Sequence, residues 1–217
     1  MCRFAVIFTP ASLIRHFKLF RYKAAAIDIC YTDKLFWKGR EMDALLVVDM
    51  QNAWLNSGIS RLDKDGVVRR INHAAKCIRQ RGGRVIFIRH CDDDAQIGSP
   101  EWHVDSALTV DARDLMIDKT ACDAFVNTSL LMELMATGAE KLFICGMATE
   151  LCVDTTLRAA LSNGFDVVGL ADAHTTGDRP HLSAAQVIEH HNWVWANLAA
   201  PLGRQIQVCT VEEAFEE

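Results

Sequence analysis

Positive charge is in short supply: 23 Lys and Arg stand against 28 Asp and Glu, for a formal net charge of −5. The chain therefore lacks the basic footprint expected of a nucleic-acid binder. The eight cysteines include no CxxC pair, so neither a metal finger nor a disulfide framework is implied. Reduced thiols in a cytoplasmic protein are the expectation. Also missing are internal repeats, low-complexity tracts and any apolar run long enough to cross a bilayer, so no membrane partner is expected. These absences exclude several classes and leave an ordinary globular chain of 217 residues, 50% hydrophobic, with ample material for a buried core.

The first 41 residues differ from the rest. They carry eight Lys or Arg against three acids and show no helical or alternating pattern. A secretory signal would need a compact apolar stretch followed by small residues, which this prefix does not have. We expect residues 1–41 to be an N-terminal extension outside the core, without fixed structure of their own, with Met42 at or near the natural start. Residues 42–217 are expected to form the folded domain.

From Ala44 onward, short runs rich in Val, Ile and Phe alternate with longer amphipathic stretches. Strands are predicted at 44–49, 84–89, 113–118, 141–145, 166–170 and 205–209. Continuous apolar runs of this kind suit strands covered on both faces. Helices are predicted at 64–81, ending at Gly82-Gly83, at 127–137, at 150–163, and at 181–198 with Pro180 at the entrance. The stretch 90–112 reads as an irregular excursion. The predicted fold is α/β: three layers, doubly wound, with a mostly parallel six-stranded sheet and helices on both faces.

In such sheets ligands bind beyond the carboxyl ends of the strands, and four residues fall there: Asp49, His90, Lys119 and Cys152. A strand-end carboxylate can deprotonate a thiol, and a lysine can keep that carboxylate ionised and attract a developing anion. Cys152 follows the run KLFIC where a helix begins, so the helix dipole is expected to favour its thiolate and nearby amides to receive an oxyanion. Each residue also has a plainer reading: Asp49 as a turn residue, Lys119 as a solvated charge, Cys152 as core packing. Their joint placement favours a site in which nucleophile, base and cation converge.

At this point the sequence resembles the isochorismatase-like cysteine hydrolases, the superfamily that includes nicotinamidases and N-carbamoylsarcosine amidohydrolases. The resemblance is carried, in order, by LLVVDMQNAWL at 45–55, VIFIRH at 85–90, GSPEW at 98–102, IDKTACDAF at 117–125, ICGMATELCVDTTLRAA at 144–160 and VVGLADAHTT at 167–176. It implies a triad of Asp49, Lys119 and Cys152. Asp49 would take the thiol proton, Cys152 would attack a small amide, ureido or carbamoyl compound, and a thioester would form. It also implies a cis peptide at Met147–Ala148, with the amides of Ala148 and Cys152 receiving the oxyanion. Trp54, His90, Trp102, Phe125 and Thr149 are the expected substrate-binding residues, and a homo-oligomer, dimer or tetramer, is the expected assembly.

Nicotinamidases carry an Asp-x-His pair after the second strand, whereas this chain reads RHCDDDAQIGSPEWH. No metal and no other cofactor are therefore expected, and Asp92, Asp93 and Asp94 are read as a solvated turn. Isochorismatases proper cleave a vinyl ether and need no cysteine at this place, so Cys152 favours C–N cleavage. The alternatives are a vinyl-ether hydrolase and a non-catalytic binding or thiol-sensing protein. In HHNWVW at 190–195 the adjacent histidines point different ways on a helix, and Trp193 and Trp195 are read as packing between subunits.

Overall fold

Six strands share one sheet because each is a short apolar run bounded by turns. The computed structural model describes residues 42–216; the expectation for the prefix 1–41 lies outside them. In chain order the elements are β1 (Met42–Val48), α1 (Asn52–Leu55), α2 (Lys64–Gln80), β2 (Arg84–His90), β3 (Leu115–Lys119), α3 (Leu130–Thr137) and β4 (Ala139–Met147). A π-helical turn (Thr149–Val153) follows, then α4 (Asp154–Ser162), β5 (Asp166–Thr175), α5 (Ala184–Ala196), β6 (Ile206–Cys209) and α6 (Val211–Phe215). The strand order is β3-β2-β1-β4-β5-β6, and every pairing is parallel.

Side-chain alternation along the strands divides the core into two layers. Leu45 and Val47 of β1, Val85 and Phe87 of β2, and Phe143 and Cys145 of β4 pack with α2 and α6. Ala44, Leu46 and Val48, Ile86 and Ile88, and Leu142 and Ile144 face α3, α4 and Trp195 of α5. Helices thus cover both faces, and β1, at the centre, is buried from Ala44 to Val48. The order reverses between β1 and β4, since β2 and β3 lie to one side and β5 and β6 to the other. The crevice at the carboxyl ends of β1 and β4 is the switch point where such sheets bind ligands.

Three differences from the sequence reading have physical causes. The segment predicted as one helix from residue 150 begins as a π-helical turn and becomes α-helical only at Asp154. β5 runs on to Thr175 instead of stopping near residue 170, because its register breaks: Ile144 pairs with Gly169, but Gly146 pairs with His174. The extra β5 residues form an irregularity that no apolar count reveals. α5 starts at Ala184, not near Pro180, because Ser183 and Gln186 make a reciprocal capping box. One reading is corrected outright. Trp195 is 0% exposed and packed in its own core, so it cannot be a subunit contact; Trp193 is the exposed tryptophan of α5.

β4 approaches β1 through Gly146, whose φ is 115°. A Cβ there would overlap the Val48 carbonyl oxygen and backbone nitrogen, and the φ itself is one that L side chains avoid. Gly146→Ala is therefore expected to destabilise the domain by about 3 kcal/mol or more. Urea unfolding measures this, and a loss below about 1 kcal/mol would contradict the close approach.

Candidate active site

The carboxyl ends of neighbouring strands deliver the site. His90 and Lys119 are the last residues of β2 and β3 and are register partners, as are Arg89 and Asp118 before them. Alternation sends the two pairs to opposite faces. On one face Arg89 forms an ion pair with Asp118 at 2.8 Å. On the other, His90 and Lys119 point to the layer that holds Cys152. Asp49 follows β1 with φ 51°, a left-handed conformation, and its amide donates to the Ile88 carbonyl at 2.9 Å.

The Lys119 side chain is fully buried. Its ammonium lies 2.8 Å from Asp49 Oδ2, 3.1 Å from His90 Nδ1 and 3.2 Å from Cys152 Sγ. An ammonium has three donors and accepts nothing, so the three contacts saturate it. His90 Nδ1 must then be an acceptor, which puts the ring proton on Nε2, 3.5 Å from Asp92 Oδ2. The second oxygen of Asp49, Oδ1, is buried without a hydrogen-bond partner among the described residues. A buried carboxylate oxygen without a partner can accept a proton.

Burial governs the charges here. It pushes the Asp49 carboxyl up, and Lys119 and the hydrogen bonds from Cys152 and Lys119 pull it back only in part. Burial opposes the Lys119 charge as well, but Asp49 and Cys152 beside it prevail and hold the ammonium above its usual range. Burial and then the Asp49 charge push the Cys152 thiol up, with Lys119 opposing. The thiol is thus held protonated at rest, contrary to the thiolate expected at a helix start. The carboxylate next to it and the loss of water outweigh any help from the turn.

Asp49, His90 and Cys152 offer ligand atoms within 4.8 Å of one another, a spacing a metal could use. The ammonium of Lys119 already bonds to all three residues, so a metal would have to replace it. Asp92, Asp93 and Asp94 are exposed; Asp92 caps its own turn by accepting from the amides of Asp94 and Ala95.

Of the other expected residues, Trp54 stands nearest, edge-on to His90 with ring centroids 6.2 Å apart. Trp102 is committed elsewhere: its ring lies 3.6 Å from the Arg89 guanidinium, on the face His90 does not use. Phe125 stacks on Phe165 at 6.2 Å and belongs to the packing around the core. The Met147–Ala148 peptide is cis, and Met147 is buried while Ala148 is partly exposed. Thr149 is 0% exposed, and its hydroxyl lies 2.8 Å from His174 Nδ1, so that group faces the interior.

Two residues went unnoticed in the sequence. Gln51, fully buried, accepts from the His90 amide at 2.7 Å and donates to the carbonyls of His90 and Trp102 at 2.9 Å. It ties the loop after β1 to the end of β2. The sequence signal was an amide side chain two places after Asp49, just past the apolar strand. His174 is 2% exposed at the end of β5, and a histidine closing an apolar strand was its signal.

Comparison with known proteins finds relatives over the described domain. The model of the isochorismatase domain matches residues 43–212. A streptothricin hydrolase of Streptomyces noursei is 32% identical over 144 residues, covering 65% of this chain and 57% of the relative. This chain thus spans little more than half of that relative's length. A ureidoacrylate amidohydrolase of Serratia proteamaculans (strain 568) is 30% identical over 210 residues, covering 74% of this chain and 84% of the relative. Among solved structures, a crystal structure of an isochorismatase family protein superposes with a TM-score of 0.71 at 31% identity, over 76% of this chain and 96% of the other.

Two predictions follow from the charges. Asp49→Asn removes the carboxylate that raises the Cys152 thiol, so the Cys152-dependent thiolate absorbance should titrate at lower pH than in the native protein. A native midpoint well below the roughly 8.5 of a free thiol would contradict the account. His174 is a second case, because burial lowers its pKa to about 4. Unfolded chains, with histidine near 6.5, bind its proton first. Its contribution to stability is therefore complete above pH about 6.5 and is lost as pH falls towards about 4, by roughly 3 kcal/mol. Denaturant unfolding at several pH values should show this slope reduced in His174→Asn.

Proposed function

The chain belongs to the isochorismatase family, and on that premise we propose that it is a cysteine hydrolase cleaving a C–N bond in a small amide, ureido or carbamoyl compound. The observation that carries this reading is the buried Lys119 ammonium in contact with Asp49, His90 and Cys152 at once. A cation in contact with a buried carboxylate, an imidazole and a thiol is a nucleophile with its base and counter-charge already assembled. The names of the relatives, a hydrolase and an amidohydrolase, support the same reaction class.

In the first half-reaction the Cys152 thiol proton passes to Asp49 Oδ1 as Sγ bonds to the carbonyl carbon. The carbonyl oxygen takes up the electron pair, and the amides of Ala148 and Cys152 are the donors assigned to it. Lys119 stays charged and offsets the negative charge that moves from carboxylate to substrate. Protonated Asp49 then gives its proton to the leaving nitrogen, the C–N bond breaks, and ammonia or an amine departs from a thioester. In the second half Asp49 accepts a proton from water as its oxygen attacks the thioester. The C–S bond breaks, the acid is released, and the proton returns to sulfur. A thiol neutral at rest suits this order, because its proton is the one the leaving group needs.

Trp54 beside His90 is the wall assigned to the substrate. A cytoplasmic setting is supported by the six described cysteines, all unpaired. Among the described residues no helix is long and apolar enough to cross a membrane. Trp193, 66% exposed on α5, supports assembly into a homo-oligomer.

A screen of small amides, ureido acids and carbamoyl compounds for ammonia release tests the proposal. Cys152→Ala and Asp49→Asn should each lower turnover on the order of a thousandfold or more. Turnover by Cys152→Ala equal to that of the native protein would refute nucleophilic catalysis.

A further inference from the structure

The HHNWVW run of α5 has so far no part in the site, yet two of its side chains reach the turn that carries Cys152. Asn192 Nδ2 donates to the Ala171 carbonyl at 3.0 Å, inside the irregular part of β5. That bond fixes the amide, so Oδ1 faces His174 Nε2 at 2.9 Å. Flipping the amide would set Oδ1 against the Ala171 oxygen, acceptor against acceptor. The Asn192 oxygen therefore requires a proton on His174 Nε2. In the neutral ring Nδ1 is then a lone pair, and the Thr149 hydroxyl donates to it at 2.8 Å. Burial lowers the His174 pKa to about 4, which keeps the ring neutral near pH 7.

The second reach is direct. Trp195 Nε1 donates to Asp154 Oδ1 at 2.7 Å, and its ring packs edge-on to His174 with centroids 4.9 Å apart. Thr149 opens the π-helical turn and Asp154 immediately follows it. We infer that His174 and Asn192 are positioning residues: through them α5 holds Thr149, and through Trp195 it holds Asp154, so both ends of the turn bearing Cys152 are tied to one helix. The inference rests on the reading of Cys152 as nucleophile. A π-helical turn interrupts the regular α-helical ladder, and two fixed ends limit where Sγ can stand relative to Asp49 and Lys119. A displacement of about 1 Å at a reacting atom can cost up to about a hundredfold in rate.

The test follows alkylation of Cys152 by iodoacetamide in the full chain near pH 7, resolved by peptide mass spectrometry. Thr149→Val keeps the shape but lacks the donor, and Asn192→Ala cuts the link from α5; each should speed Cys152 alkylation about tenfold or more, because a sulfur free to move away from Asp49 and out of burial ionises more readily. Thr149→Ser, which restores a hydroxyl, should stay within about threefold of the native rate. Val187→Ala opens a cavity at a buried position of the same helix and leaves both ties intact, so it should lower the melting temperature with little change in rate. Native or slower rates in both Thr149→Val and Asn192→Ala, or equal acceleration by Val187→Ala, would overturn the inference. In either case the nucleophile reading stands as long as Cys152→Ala still abolishes ammonia release; failure of that control sinks both.

Discussion

The site depends on one buried ammonium with three acceptors. Lys119 could not be charged in the core without Asp49, and Asp49 could not be ionised there without Lys119, because an unpaired charge in this interior carries a large desolvation cost. Their contact at 2.8 Å leaves two donors on the lysine, which His90 and Cys152 take. That count fixes the tautomer of His90 and the position of the sulfur. It leaves Asp49 Oδ1 as the open acceptor, so proton transfer from the thiol has a defined destination.

The fold makes this contact possible through strand order. β3, β2 and β1 lie side by side with their carboxyl ends level, so Lys119, His90 and Asp49 come to one edge from three strands. Cys152 arrives from the other side of the switch point, on the turn after β4. The approach of Gly146 to Val48 sets how closely the two halves meet. Gln51 secures the β1 and β2 ends to each other, and α5 supports the turn from behind.

Much of this was legible in the sequence, and the rest was hidden for identifiable reasons. Strand positions follow from apolar runs, and the candidates Asp49, His90, Lys119 and Cys152 follow from where such runs end. What a side chain touches depends on partners far away in the chain. Trp102 and Phe125 occupy loops, as expected of pocket residues, but Arg89 and Phe165 hold their rings. Trp195 looked like surface aromatic area and is core, because the break in β5 register brings His174 beneath it. Burial and the Asp49 charge oppose the Cys152 thiolate that its helix-start position favours, and the sequence does not reveal how deeply Asp49 and the sulfur are buried together.

The chemistry proposed for this site turns on acylation of Cys152 during turnover, with Asp49 holding the proton it loses. Acid quenching of the protein while it hydrolyses a ureido or amide compound, followed by peptide mass spectrometry, measures this directly. A substrate-derived acyl group is expected on the peptide containing Cys152, formed in the native protein and greatly diminished in Asp49→Asn. Rapid turnover with the acyl group on another residue, or unaltered accumulation on Cys152 when Asp49 is replaced, would contradict it.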